Sequence, residues 1–463
     1  MHQSFVLVSI SALINCHPEL LIRIFETPFF YIYRQNWNEE RSVTVQLTDE
    51  EKRMEAGEYG PGTQRAMELL VKYGDSFEAK LFAPISYGHI SYDFCPEEFW
   101  NLMTEGVGKT LHRVTTHPSY SPEVWKKWGL SLADNWADEH QRKLKRFLEL
   151  GWLRTETCAE YLLGIMPRKG DIVSMGGSCM QVANNSLFGA RVDRIGVLMS
   201  LAAAVCGRTP LMGLLLPENR YASHMVELED LDVSEWTITH YHCLGYYIGD
   251  QVPGFKPVVL NGLPRNLPFD FARALVISMP TSGSVTLGHI VGTTPEAPTL
   301  EAALGGKQPE QVIRVGKGEM TRTWERLNVW DDDVVEHVAF GCPHATIDEI
   351  GRIASLVEGK KLKSSMLIGS SAPVEALARR QGWADIIEKA GGNFQPVCPS
   401  ITNPFTRPDI AGENQARSAA TDSARSAHYL ATVSGVKVFF GTEEECVNSA
   451  ISGKWKGEIP RWK

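Results

Sequence analysis

From residue 42 onward, the hydrophobic and polar positions alternate between helical and strand periods. Thr48 followed by Glu51 forms a capping-box pair, which predicts that a helix begins there. A second helix is predicted over 62–73 and a strand over 79–90, from the spacing of their apolar residues. Because helices and strands follow one another in turn, the pattern favours an α/β fold over an all-α or all-β one.

The same alternation continues to the end of the chain. Apolar runs predict strands at 258–260, 274–278 and 436–440. Amphipathic runs predict helices at 134–151, 346–358 and 374–381. Segments rich in Gly, Pro, Ser or Thr predict loops at 167–178, 262–268, 280–298 and 398–423. Loops at strand ends are where α/β proteins bind ligands, so these four are the first candidates for a functional site.

The first 42 residues differ from the rest. The apolar run from Phe5 to Leu13 has no Lys or Arg before it and is too short to span a bilayer. We interpret 1–42 as an atypical N-terminal extension, with a targeting segment as the alternative, and predict no membrane association. Polar breaks near 152 and 315–333 divide the remainder into three α/β regions, predicted at 43–152, 153–325 and 326–463.

Composition narrows the class of protein. Hydrophobic residues make up 43% of the 463 residues, which is enough to bury sizeable cores. The 46 Lys and Arg residues are outnumbered by 55 Asp and Glu residues, which gives a net charge of −9. Such a balance carries no basic footprint, and we therefore predict no nucleic-acid partner.

The nine cysteines are scattered, odd in number and never spaced as C-x-x-C. They do not form a secreted disulfide framework, and most fit the role of small buried hydrophobes. Three stand out. Cys342 and Cys398 each precede a proline, Cys342 also precedes a predicted helix, and Cys158 precedes the loop at 167–178. The spacing alone favours the interpretation that these are ordinary buried cysteines rather than ligands of a shared metal site.

Four stretches carry a resemblance to a known family. They are ANNSLFGARVDR (183–194), TTPEAPTLEAALGG (293–306), GCPHATIDEI (341–350) and TDSARSAHY (421–429). With them, roughly residues 43–455 resemble the large subunit of the aconitase X family. The resemblance implies an iron–sulfur cluster, of the 4Fe–4S or 2Fe–2S type, bound by Cys158, Cys342 and Cys398. Three protein ligands leave an iron open, which suits dehydration better than electron transfer.

The resemblance also implies a fold and a function. It predicts an aconitase-like α/β fold of about three domains around a central cleft, without the small swivelling domain. It predicts a cytoplasmic hydro-lyase, an enzyme of the lyase class, that removes water from a small hydroxy acid such as a hydroxyproline or mevalonate 5-phosphate. A separate small subunit is expected to carry the catalytic base, with His89, His289 or His428 as the alternative. The other hypothesis is a non-catalytic aconitase-like subunit or scaffold.

Substrate contacts are predicted in two loops. Arginine can hold a carboxylate in a two-pronged hydrogen bond, and Asn, Ser, Thr and His can orient it. Without the resemblance, a solvated loop or a tight turn is the favoured interpretation of either segment. The predicted substrate-binding residues are Asn184, Asn185, Ser186, Arg191, Arg194, Thr281, Ser282 and His289.

The chain departs from the family pattern around this site. Ala159 and Glu160 stand where the family usually has Thr and Pro, and Cys179 ends a Gly-Ser-Cys run where many relatives have Glu-Ser-Ser. His117 lies in a Thr-Thr-His-Pro run that replaces a Thr-Thr-Leu-Asn type motif, and Arg425 stands where a lysine is usual. The substrate pocket is therefore expected to differ from the standard one.

Overall fold

The structure is a computed structural model. It describes residues 45–119, 134–411, 414–460 and 462. All of them belong to the unit that runs from Val45 to Lys463. The predicted extension 1–42 lies outside the described residues. In the described part of the chain, no helix combines the length and the apolar character needed to cross a bilayer.

Fourteen short strands are described. They are β1 Phe82–Pro84, β2 Tyr87–Ile90, β3 Arg113–Thr116, β4 Val173–Met175, β5 Arg208–Pro210, β6 His224–Leu228, β7 Val258–Asn261, β8 Gly288–Ile290, β9 Gln311–Val315, β10 His337–Phe340, β11 Ser365–Gly369, β12 Gly392–Gln395, β13 Ser418–Thr421 and β14 Lys437–Phe440.

These strands form four sheets. The three larger sheets are parallel, with the orders β3-β2-β4, β8-β7-β6-β9 and β12-β11-β10-β13-β14, and β1 pairs antiparallel with β5. Parallel sheets are covered by helices on both faces, and β2, β8, β10 and β13 are accordingly buried over their whole length. The α/β fold class predicted from the sequence is confirmed.

Helices connect and cover the strands. They are α1 Asp49–Glu55, α2 Pro61–Ser76, α3 Glu97–Thr104, α4 Asp134–Glu149, α5 Ser178–Leu187, α6 Val197–Cys206, α7 Ile238–Gln251, α8 Phe269–Ser282, α9 Leu300–Leu304, α10 Lys317–Leu327, α11 Ile347–Val357, α12 Ala372–Arg380, α13 Trp383–Ala390, α14 Pro408–Ala411, α15 Ala424–Thr432 and α16 Glu443–Ser452.

Local signals in the sequence fix several helix starts. The capping box of Thr48 and Glu51 is present, and Thr346 with Glu349 forms the same arrangement before α11. Each box satisfies backbone N–H groups that the first helical turn leaves without partners. The helices predicted at 134–151, 346–358 and 374–381 are confirmed within two residues at each end.

One predicted strand is wrong. Residues 274–278 lie inside α8, which is buried on all sides over residues 272–281. A continuous apolar run does not distinguish a buried strand from a buried helix. Gly245 of α7 makes the helix possible, because a Cβ atom there would lie 2.0 Å from the carbonyl oxygen of Leu275. The two helices therefore pack backbone to backbone.

Three predicted loops contain short strands. Strand β4 lies within 167–178, β8 within 280–298 and β13 within 398–423, and 280–298 also begins with the last turn of α8. Conversely, the predicted strand over 79–90 is divided into β1 and β2. Strands of three or four residues form because neighbouring strands pair with them, and that pairing has no local signature in the chain.

Candidate active site

Four cysteines meet where loops from two of the parallel sheets come together. Cys158 follows a segment that pairs with the end of β3, and Cys179 lies in the first turn of α5, after β4. Cys342 follows β10, and Cys398 follows β12. Because carboxyl ends of parallel strands share one edge, side chains beyond them converge. We refer to Cys158, Cys179, Cys342 and Cys398 as the thiol site.

His344 ties three of these cysteine loops together. Its Nε2 lies 3.1 Å from the carbonyl oxygen of Val397, and its Nδ1 lies 2.9 Å from Oγ1 of Thr157. The carbonyl requires a proton on Nε2, so Nδ1 accepts from the threonine hydroxyl. The backbone N–H of His344 points at Sγ of Cys158, at 3.5 Å. Burial lowers the pKa of His344 to about 3, which keeps the ring neutral.

The backbone before Cys342 allows this close approach. Gly341 has φ +87°, and a Cβ atom there would lie 2.0 Å from the carbonyl oxygen of Gly369. Only glycine takes up that conformation in so little space. Ser423 then donates a hydrogen bond to the carbonyl of Cys342, which joins the β13 loop to the site.

The four thiols are arranged as two contacting pairs. Hydrogen bonding from Cys158 holds the pKa of the Cys179 thiol well below its usual range, and raises that of Cys158. In the same way, the Cys342 thiol lowers the pKa of Cys398 and its own pKa rises. The charge of Cys398 also raises the pKa of Cys158, so the two pairs influence each other electrostatically.

Two cationic side chains favour thiolates at this site. Burial opposes a charge on His117, but its hydrogen bond to Cys179 and the charges of Cys179 and Cys398 raise its pKa. Arg425 lowers the pKa of both Cys179 and Cys342 by its positive charge. A positive environment of this kind is the one in which cysteines ionise and bind metals.

Arg425 also reaches the end of α8. It donates to Oγ1 of Thr281 at 3.0 Å and to Oγ of Ser178 at 3.4 Å. Arg194 lies close enough for the charge of Arg425 to depress its pKa, although burial is the larger cause. In the described structure, Nη1 of Arg194 is buried without a hydrogen-bond partner, while the guanidinium stacks 5.3 Å from the Phe255 ring. Arg425 lies close to the thiols and Arg194 lies within range of its charge, so the two guanidinium groups can attract an anion.

The remaining residues predicted to bind substrate lie mostly in a different environment. Nδ2 of Asn185 donates to the carbonyls of Val192 and Thr286, and its Oδ1 accepts from Arg220 at 2.8 Å. Arg220 also binds the carboxylate of Glu296. We call the set of Asn185, Ser186, Arg220, His289 and Glu296 the Asn185 network.

Ser186 and His289 of this network, and the neighbouring Asn184, also form hydrogen bonds within the protein. Ser186 accepts from the N–H of Gly288 at 2.9 Å, and His289 bonds the carbonyl of Arg220 at 2.8 Å. Asn184 donates to the carbonyl of Met180 and accepts from the Tyr87 hydroxyl. A substrate role for these side chains stays a prediction, and their contacts give each of them a structural role without it.

Ser282 and Arg191 complete the predicted set. Ser282 donates to the carbonyl of Tyr246 at the junction of α7 and α8, one residue beyond Thr281. The backbone N–H of Arg191 donates to Asp171, and its side chain is half-buried. Of the eight residues predicted to bind substrate, Thr281 accepts a hydrogen bond from Arg425, and Arg194 is near enough for the charge of Arg425 to lower its pKa.

Sequence reasoning did not assign His117, Cys179 or Arg425 a place in the site. These three residues depart from the family pattern, and all three belong to the surroundings of the thiols. Glu160, another departure, lies 2.6 Å from Nδ1 of His89. The His89 ring in turn faces that of His117, with centroids 5.9 Å apart. The signal that could have found them was the departures themselves.

The donor set fits an iron–sulfur group. Thiolates are the ligands such clusters use, and N–H groups pointing at their sulfurs tune them. The N–H of His344 faces Cys158, and that of Ile401 faces Cys398 at 3.4 Å. Among the described residues, no group of three or more His, Cys, Asp and Glu side chains has the spacing to hold a single metal ion.

Parallel sheets whose strand ends enclose thiols and arginines define an α/β protein with an enzyme-like site. Models of the aconitase X first, second and third domains match residues 44–218, 222–325 and 335–452. The structure of Thermococcus kodakaraensis aconitase X, in its holo-form, superimposes with a TM-score of 0.76 at 30% identity, covering 88% of this chain and 100% of that one.

Two curated relatives are similar to this chain in sequence. The phosphomevalonate dehydratase large subunit of Methanocaldococcus jannaschii is 30% identical over 408 residues, or 86% of this chain and 98% of that protein. The cis-3-hydroxy-L-proline dehydratase of Pseudomonas aeruginosa is 30% identical over 420 residues, or 88% and 70%. The chain belongs to the aconitase X family, as the resemblance predicted. Both relatives are dehydratases, which supports an enzyme of the lyase class.

Proposed function

We propose that this chain is the large subunit of a hydro-lyase that removes water from a small hydroxy acid. The observation that carries the proposal is the convergence of three cysteine loops on His344, with the positive charge of Arg425 close to the cysteines. Cys158, Cys342 and Cys398 would hold an iron–sulfur cluster. Bound there, the cluster would supply a Lewis-acidic iron that makes the substrate hydroxyl a better leaving group.

The residues of the chain would perform the remaining tasks. Cys158, Cys342 and Cys398 are 7 to 8% exposed, whereas Cys243 and Cys446 are fully buried. These residues therefore lie nearer the edge of the core than Cys243 and Cys446, and a cluster held by them would be largely shielded from bulk water. Arg194 and Arg425 would bind the substrate carboxylate or phosphate, and Thr281 fixes the side chain of Arg425.

A separate small subunit would complete the site. The relative from Methanocaldococcus jannaschii is a large subunit by name, and its length is matched almost entirely by this chain. We propose that the partner supplies the base that takes the carbon-bound proton. Two of the three histidine alternatives are engaged elsewhere, since His428 is held by the Tyr246 hydroxyl and His289 by a backbone carbonyl. The third, His89, is buried against the carboxylate of Glu160.

A cytoplasmic location is part of the proposal. The cysteines described by the structure, at positions 95, 158, 179, 206, 243, 342, 398 and 446, are all free. Free thiols persist in reducing compartments, and thiolate-bound clusters need the same conditions.

A non-catalytic subunit or scaffold is the second candidate. The observation that favours it is Cys179, a thiol in contact with Cys158 where many relatives have serine. A fourth thiol beside a bound cluster would obstruct the substrate, which is a departure that a scaffold would tolerate.

An anaerobic assay tests the proposal. The full chain, co-expressed with its candidate small subunit and reconstituted with iron and sulfide, is assayed with mevalonate 5-phosphate and with cis-3-hydroxy-L-proline. Product lacking one water is followed by mass spectrometry. We expect turnover with one substrate, loss of turnover in Cys398→Ala, and retention in the matched control Cys243→Ala. A reconstituted cluster without turnover on either acid would overturn the enzyme in favour of the scaffold.

A further inference from the structure

Three regions of the chain meet at one buried group of side chains. Arg273 lies on α8, within the segment that matches the second aconitase X domain, and His344 follows β10 in the third. Thr157, which bonds the His344 ring, lies in the first. All three side chains belong to residues that are 0 to 1% exposed. We call Arg273, His344 and Thr157 the three-domain junction.

The guanidinium of Arg273 is held by two acceptors from the third domain. Its Nη1 donates to the carbonyl oxygen of His344 at 2.9 Å, and its Nη2 donates to Oε2 of Glu349 at 2.7 Å. The same carboxylate oxygen accepts from the backbone N–H of Thr346 at 2.6 Å. Because a planar guanidinium donates in fixed directions, these bonds hold the loop before α11 against α8.

The loop held in this way reaches each of the three predicted cluster cysteines. The backbone N–H of His344 faces Sγ of Cys158 at 3.5 Å. Its Nε2 donates at 3.1 Å to the carbonyl of Val397, the residue before Cys398. Cys342 lies two residues before His344 in the same loop. One guanidinium therefore supports the backbone to which all three cysteine loops are attached.

The buried ion pair of Arg273 and Glu349 contributes more to geometry than to stability. The side chains of the two residues are 1% and 11% exposed, so both charges have lost most of their hydration. This loss offsets much of their attraction, and well-packed apolar side chains would stabilise a fold about as well. Apolar side chains cannot, however, bind a carbonyl and a carboxylate in fixed directions.

We propose that Arg273 is a positioning residue, which holds the loops of Cys158, Cys342 and Cys398 together before a cluster binds. It acts through the backbone of His344 and is not itself a ligand. The nature of the group that the cysteines bind rests on the proposed function, whereas the preformed arrangement of their loops does not. Without Arg273, the loops separate more often and expose the three thiols.

The rate of cysteine labelling tests this inference in the full chain before iron is added. The protein is treated with N-ethylmaleimide under native, anaerobic conditions, and labelled positions are identified by peptide mass spectrometry. In the wild type, Cys158, Cys342 and Cys398 should react slowly, since each is at most 8% exposed. We expect Arg273→Met to speed their labelling on the order of 100-fold, which corresponds to about 2.8 kcal/mol of local opening at about 1.4 kcal/mol per factor of ten.

Two controls separate positioning from a general loss of stability. Cys446, which is fully buried and donates to a carbonyl, reports global unfolding within each variant. Arg220→Met removes another buried arginine that pairs with a glutamate, Glu296, in the Asn185 network. In Arg220→Met, labelling of the three cysteines relative to Cys446 should stay as in the wild type.

Arg273→Lys provides a second variant. Lysine keeps a positive charge opposite Glu349 but cannot bridge both acceptors as a guanidinium does. We expect its labelling to rise on the order of 10-fold, because one of two charge-assisted hydrogen bonds is lost. If Arg273→Met does not fold, Arg273→Lys carries the same test.

Electron paramagnetic resonance gives a readout that stability alone does not change. The full chain is reconstituted with iron and sulfide and reduced with dithionite, and the signal is compared between variants. Groups around the ligands orient them and tune the bound metal, so the signal reports how the cysteines are held. We expect Arg273→Met to shift, broaden or abolish the signal of the folded protein, and Arg220→Met to match the wild type.

Each outcome decides for or against the inference. Faster labelling confined to the three cysteines, together with a changed signal, supports it. Wild-type labelling rates, an equal rise at Cys446, an equal effect of Arg220→Met, or an unchanged signal in Arg273→Met overturns it and leaves the proposed function intact. A wild type that binds no cluster overturns the proposed function, and the labelling rates then decide the inference alone.

Discussion

The thiol site and the Asn185 network are both buried and polar, and both follow strand ends, yet they differ in how their polar groups are partnered. In the network, Arg220 bonds Asn185, a backbone carbonyl and Glu296, and Asn185 bonds two further carbonyls. Such groups hold the fold together because they would be costly to leave unpaired.

At the thiol site the partners are thiols themselves. Each pair places a thiol against a thiolate, with Arg425 and His117 as the nearby charges. Thiol-to-thiol hydrogen bonds are weak, and iron ligation offers more. Buried polar side chains therefore have a structural role where other protein groups satisfy their hydrogen bonds. Where those hydrogen bonds are poorly satisfied, they indicate a ligand site.

The sharpest test of this contrast removes a thiol. We expect Cys342→Ala to lose its cluster on reconstitution and to lower turnover by more than about 100-fold, which exceeds the usual cost of removing a second-layer partner. Bound iron per chain and initial rates check it. Cys446→Ala, a buried cysteine paired with a carbonyl, serves as the control. Retention of full iron content in Cys342→Ala would contradict the assignment of the site.

The converse test removes the centre of the network. Arg220→Met leaves Asn185 and Glu296 without their charged partner, and we expect the free energy of unfolding to fall by about 3 kcal/mol. Urea unfolding monitored by circular dichroism measures this. Iron content of the folded fraction should not change. If the variant keeps its stability but loses substrate affinity, the network is a binding site after all.

Arg194 tests whether a buried polar group without a hydrogen-bond partner is available to a ligand. Burial lowers its pKa, and within the described residues its Nη1 atom has no hydrogen-bond partner, so the guanidinium is available to a substrate anion. We expect Arg194→Gln to raise KM by about 10-fold with little change in kcat, since a charge-assisted hydrogen bond contributes about 1.5 kcal/mol or more. Arg314→Gln, at an exposed ion pair with Glu229, is the matched control. Equal KM values in the two variants would remove Arg194 from the site.

The smallest expected effect is on the pH dependence of stability. Burial holds the pKa of His289 below its ordinary 6.5, with Glu296 opposing and Arg220 and Lys169 assisting. The unfolded chain therefore binds a proton that the folded chain does not, and stability is lost as pH falls below about 6.5. We expect His289→Gln to make this loss shallower in urea titrations between about pH 5 and pH 7. Parallel curves for variant and wild type would show that His289 contributes nothing to it.

Local chemistry made several elements predictable. Thr48 with Glu51 identified the start of α1, because a capping box is satisfied within four residues. The helix α11, predicted from its amphipathic run, begins at a capping box of the same kind at Thr346. The run at 274–278 was assigned to the wrong element because its burial comes from α7, a neighbour the sequence does not reveal.

The sequence by itself determined the alternation of elements, the family, and the three cysteines that the family pattern marks. It also recorded Cys179, His117 and Arg425, but only as unexplained departures. The tertiary structure alone decided that these residues meet at the thiols, and that Asn185 and His289 meet Arg220. The reason is physical: whether a polar side chain is available to a ligand depends on the groups packed against it, and those come from segments far away in the chain.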